Sequence, residues 1–228
     1  MPLAFVQSRS VDAGGSSSSA LAFTSTVTAG SLLTMVFRIG TTTDTITGVS
    51  DDKGNTYTRA FYVSAPDPGN VSSHSVYYAM NAVAGATTVT VTLVDATASV
   101  RWAMHEYSGA ATSAALDQVS GRENTTASTT VDTANVTTTL ANELLFVSGT
   151  FFGATPSAGT NYTARESLAT RLFTEDRIVS STLTTNGAFT VSASITSTCA
   201  ITTFKAFVVS GPLRSRGPSY AVRRAASY

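Results

Sequence analysis

Few side chains in this chain of 228 residues are equipped for chemistry, and their spacing decides what each can do. His105 and Glu106 stand side by side in WAMHEYSG, and the other histidine is His74. An imidazole beside a carboxylate would suit general acid–base work, but adjacent residues of a strand point to opposite faces. Alternation puts Trp102, Met104 and Glu106 on one face, with Arg101, Ala103, His105 and Tyr107 on the other. The pair therefore cannot converge on one substrate atom, and two histidines are too few for the usual zinc sets. Glu106, on the aromatic face, is expected against an arginine or in solvent at the strand end.

Three other groups have the right atoms and the wrong pattern. DDKGN at 51–55 offers Asp51, Asp52 and Asn55 oxygens of the kind Ca²⁺ accepts. The spacing is not that of an EF-hand loop, so the stretch reads as an Asp/Asn/Gly turn leading into NTYTRAFYV. Glu175 and Asp176 resemble a glycosidase acid pair in type, but as neighbours they too face apart. With Arg165, Glu166 and Arg177 they are expected to form a surface ion-pair network. Cys199, the lone cysteine, sits in TSTCAITTF and reads as a small buried hydrophobe. No G-x-S-x-G elbow, Walker loop or H-E-x-x-H occurs. No catalytic residue, no metal and no cofactor is expected.

The elements that hold these residues read as short strands. TVTVTLV at 88–94, SVRWAMHEY at 99–107 and TVSASIT at 190–196 alternate with period two. Turn chemistry at AGG (13–15), DDKGN, PDPGN (66–70) and TNG (185–187) separates them. Ser and Thr make about thirty per cent of the chain and charged residues only 12%. Such a composition suits strands with a hydroxyl-lined solvent face. Adjacent aromatics, Phe61-Tyr62 and Tyr77-Tyr78, should send one ring to each side of a sheet.

The chain also repeats itself. TAGSLLTMVFRI at 28–39 aligns with LANELLFVSGTF at 140–151, and GNTYT at 54–58 with GTNYT at 159–163. GATTVTVTL at 85–93 aligns with GAFTVSASI at 187–195, and AFVQS at 4–8 with ALDQVS at 115–120. Carried on without a gap, the last alignment but one sets Trp102 on Phe204 and Ser108-Gly109 on Ser210-Gly211. The expected fold is all-β: an antiparallel, jelly-roll-like β-sandwich with an internal pseudo-repeat, about 4–109 and 115–211, plus an extended C-terminal arm. One pseudo-symmetric sandwich over 1–211 is preferred to tandem sandwiches at 1–109 and 115–211. The junction GAATSAA is too short and too poor in Gly and Pro for a spacer.

Residues 212–228 differ from all of this. In residues 1–210 acids outnumber bases by four, and Arg214, Arg216, Arg223 and Arg224 bring the formal net charge to zero. This basic arm is read as a partner-binding segment. Tyr220, Val222 and Tyr228 would anchor in a neighbour's groove while the arginines meet acidic groups. Nucleic acid is not the expected partner, because the mildly acidic body would repel phosphates.

AGSLL, SDDKGNTYT, AGATTVTVT, HEYSG, LDQ, ANELLF and EDRIVSS, spread over nearly all of 1–211, resemble a β-sandwich module of phage virion proteins and bacterial surface proteins. The resemblance implies a fold and a setting and brings no catalytic residues. No run is long enough for a membrane span. The surface-protein version would follow a signal sequence, whereas MPLAFVQSRS lacks a basic stretch followed by an apolar one, which favours the phage version. The expected role is a capsid decoration, or cement, protein made in the host cytoplasm and located in the virion. It would bind the major capsid protein or another virion protein as a homo-oligomer, with no membrane. A receptor- or glycan-binding domain of a tail or head fibre is the alternative, and a glycan hydrolase on the same scaffold the second.

Overall fold

The computed structural model describes residues 1–65, 71–96, 99–168 and 170–208. The described residues hold strands and no helix, in antiparallel sheets packed together. The first half runs β1 (Ala4–Gly15), β2 (Ser18–Ala22), β3 (Leu32–Ile39), β4 (Ile46–Asp51), β5 (Thr58–Ala65), β6 (Ser72–Ala79), β7 (Thr88–Leu93) and β8 (Ser99–Ser108). The second runs β9 (Leu116–Asp132), β10 (Val136–Thr137), β11 (Glu143–Phe151), β12 (Pro156–Ser157), β13 (Thr163–Leu168), β14 (Leu172–Val179), β15 (Thr184–Thr185) and β16 (Ala188–Lys205).

The repeat reappears as topology. The large sheet of the first half is ordered β1-β8-β3-β6-β5, and that of the second sets β9-β16-β11-β14-β13 in the same order. A small sheet, β2-β7-β4, covers one face of the first large sheet. In the second half the same cover is made by the far ends of β9 and β16 with β12. The first half thus breaks its ribbon between Leu93 and Ser99, whereas β16 runs from cover into large sheet as one element. That difference corrects the ungapped alignment. Tyr107 stands opposite Leu32 and Phe204 opposite Leu144, so Phe204 occupies the place of Tyr107, not of Trp102.

Three apolar clusters follow from the alternation of side chains along these strands. Leu33, Met35, Phe37, Trp102 and Met104 pack under the first cover with Val89 and Val91. Leu145, Val147, Phe173, Phe189 and Cys199 pack under the second. The opposite faces of the two large sheets meet each other, with Leu32, Val36 and Tyr107 of the first half against Leu144, Phe146 and Phe204 of the second. β3 and β11 are therefore buried along their whole length, on both faces. LLTMVFRI and ELLFVSGTF carry that in their near-continuous apolar runs, the pattern of a strand with no wet side.

Matching turns set the entry to both central strands. Gly30 (φ 79°) and Asn142 (φ 59°) take the same left-handed position. Glycine does so without steric cost, and asparagine is among the residues that tolerate it best. A carboxylate then closes each turn: Glu106 accepts from Thr28 N at 2.9 Å, and Glu143 from Leu140 N at 2.8 Å. The two acids come from different strands and do the same work.

Candidate functional site

The seam between the large sheets holds most of the polar chemistry. On the first half, Thr34 and Arg38 of β3, His74 of β6 and His105 of β8 face the second half and are buried. His74 sits between hydroxyls, its Nδ1 2.9 Å from Thr198 Oγ1 and its Nε2 2.9 Å from Ser148 Oγ. His105 Nε2 lies 2.9 Å from Thr174 Oγ1, with its ring edge-on to Phe146. Burial removes water from both imidazoles and pushes each down to about 3, so both are neutral in the folded protein at physiological pH. They are interior connectors between halves, closed to any substrate.

Beside them is a buried clamp. Asp176 accepts both Arg165 Nε (2.8 Å) and an Arg165 terminal nitrogen (2.9 Å), and also the Tyr107 hydroxyl at 2.7 Å from the other half. Arg165 lies over the Phe5 ring at 3.8 Å, and Glu166 accepts from Ser8 and Ser10 of β1 at 2.5 and 2.7 Å. The expected surface network at 165–166 and 175–176 is thereby corrected. Asp176 and Glu175 are buried, because β14 belongs to a sheet covered on both faces.

Glu175 and Asp176 do face apart. Glu175 Oε2 accepts from Gly159 N at 2.7 Å, with its chain sealed beneath the cleft at Gly159 and Tyr162. Burial dominates here and pushes the carboxyl up to about 7, against the Gly159 bond and with help from Asp176. The folded state thus holds a proton that the unfolded chain releases near 4.5. Its stabilising effect is full below about 4.5 and is lost as pH rises through 7, about 3 kcal/mol in all. Comparing urea unfolding of the protein and of Glu175→Gln at pH 5.5 and 8.5, the protein should lose about 2 kcal/mol relative to the variant. A constant difference would show that Glu175 is ionised at both pH values.

The remaining candidates resolve into local structure. Trp102 and Met104 share one face, Ala103 and Tyr107 the other, as alternation required. Glu106 meets neither an arginine nor solvent; it accepts from Gln7 Nε2, Thr28 N and Ser31 Oγ. Asp51 accepts from Lys53 N, Asn55 N, Asn55 Nδ2 and the Tyr57 hydroxyl. Burial would raise its carboxyl, but these bonds outweigh that and hold it low. Asp52 caps Thr87 and Thr88. DDKGN is a turn whose acids already have protein donors. Cys199 is a buried free thiol, pushed up by burial. Among the described residues no three His, Cys, Asp or Glu side chains gather as a metal-binding group. The arm residues Arg214, Arg216, Tyr220, Val222, Arg223, Arg224 and Tyr228 lie outside the described residues.

One constellation was missed by reading motifs. At one end of the seam Arg38 and Arg101 of the first half and Phe152 and Arg171 of the second frame a cleft of ≈ 480 Å³. Arg171 stacks on Phe152, 3.3 Å from the ring centroid, and Arg101 Nε bonds Asp12 at 2.8 Å. The signal was present: Arg38 and Arg101 fall on the seam face of paired strands. It needed the pairing register to be visible. No family model, curated protein or solved structure matches this chain, so its geometry alone defines the class: an all-β protein of packed antiparallel sheets.

Proposed function

We propose that this protein is a non-catalytic structural binding module of a virion, a capsid decoration protein seated on the outside of the shell. The observation that carries this reading is the closure of its reactive groups. Both histidines, the thiol, Glu106, Glu175 and Asp176 are all buried in packed sheet interiors, where they hold strands and halves together. A body built this way is stiff, loses little conformational entropy on docking, and leaves hydroxyl-rich outer strands and edges to meet a partner. The basic arm adds a second, tethered contact, and edge strands favour assembly with further copies.

The aromatics support assembly over glycan binding. Phe61 packs edge-on to His74, Tyr77 on Phe37 and Tyr78 on Phe204, while the Tyr62 hydroxyl bonds Thr42 O. All four rings are half-buried, each engaged by a neighbour of its own body, with Arg59 lying over Tyr62. Purified protein added to capsids that lack it is expected to co-sediment with them and to raise their thermal disruption temperature. Absence of association, with capsid heat stability unchanged, refutes the role.

A further inference from the structure

Arg38 and Arg101 are directly opposite each other on β3 and β8, and both side chains face the seam. Like charges in that relation destabilise a sheet, and burial makes them costlier. Arg38 is only 4% exposed. The second half shows what the fold itself needs there. Taking Leu32–Tyr107 as the counterpart of Leu144–Phe204, the counterpart of Arg38–Arg101 is Thr150–Thr198. Those two hydroxyls bond each other at 2.7 Å, a neutral pair that satisfies the same position. The arginines are therefore not a requirement of the architecture.

A third cation comes from the other half. Arg171 lines the same cleft, and Phe152, 53% exposed, offers an apolar wall beside it. Burial first, then the charges of Arg101 and Arg171, push the Arg38 guanidinium down to about 10, opposed by Asp12. Guanidinium groups present planar forks matched to oxyanions, and clefts between two packed units are where ligands commonly sit. We propose that this cleft is an oxyanion site, holding a phosphate, sulfate or carboxylate group between Arg38, Arg101 and Arg171. The bound group offsets the repulsion between the guanidiniums and ties the two halves together at the open end of the seam. This site stands independently of the virion reading.

The test uses the full chain. Thermal unfolding is followed while sodium phosphate, sodium sulfate or sodium glutarate is titrated, with ionic strength held constant by sodium chloride. At least one oxyanion is expected to raise the midpoint in a saturable way that chloride does not reproduce. Greater potency of phosphate or sulfate assigns a tetrahedral group; greater potency of glutarate assigns a carboxylate, as an acidic protein partner would supply. Arg171→Gln should weaken the half-saturating concentration by about tenfold, the worth of one charge-assisted hydrogen bond. Arg177→Gln, at the separate cleft over Gly159, should leave it unchanged. The double variant Arg38→Thr with Arg101→Thr copies the second half's pair and should fold yet lose the response. Should it fail to fold, Arg171→Gln decides alone. Oxyanions acting no better than chloride, or an undiminished response in Arg171→Gln, overturn the proposal.

Discussion

Lowering the pH from 6.5 to 4.5 is expected to remove about 5 kcal/mol of stability through His74 and His105 alone. Both imidazoles fall to about 3 when folded, from 6.5 when free, because burial strips their water. Their contribution is present above 6.5 and is lost as pH falls toward 3, since the unfolded chain takes up two protons that the folded one refuses. Glu175 acts in the opposite sense over part of this range. It releases its proton on unfolding and returns about 2 kcal/mol between pH 6.5 and 4.5. The protein should therefore lose only about 3 kcal/mol, while Glu175→Gln loses the full amount. Urea unfolding over this range measures both. Imidazole resonances that titrate near 6.5 in the folded protein would rule the account out.

Asp176→Ala should cost about 3–5 kcal/mol, because it strands Arg165 and the Tyr107 hydroxyl in a buried place. The three groups meet across the seam, with side-chain exposures of 4% for Asp176 and 21% for Arg165. Replacing all three by apolar residues, Asp176→Leu, Arg165→Met and Tyr107→Phe, should restore most of the loss, since no charge is then left unpaired. Equilibrium unfolding of the single and triple variants tests this. A loss below about 1 kcal/mol in Asp176→Ala would mean that water reaches the clamp.

The all-β class and the doubling were legible in the residues because both are local patterns. Val89 and Val91 alternate with threonines, and GNTYT returns as GTNYT. The outward and inward faces of WAMHEYSG were legible for the same reason. What was hidden is tertiary. EDR and RE look like surface chemistry; only the stacking of one large sheet on the other explains why Asp176 is dry, and only the cover over the opposite face why Glu175 is. The mismatch of Trp102 with Phe204 has a similar origin. An ungapped alignment cannot see that β16 turns its corner without the residues that separate β7 from β8. The three-arginine cleft depends on register across β3 and β8 and on a neighbour some seventy positions later, Arg171.

The seam also sets a hazard for the nascent chain. At about 5–20 residues per second, the first half waits several seconds or more before its partner sheet has been made. Throughout that interval its histidines, threonines and the face bearing Leu32 and Val36 have no cover. A second newly made chain presents a sheet of the same strand order, and docking to it would yield an exchanged dimer in place of a self-closed molecule. Slow synthesis and high local concentration, as on crowded polysomes, should favour the exchanged form.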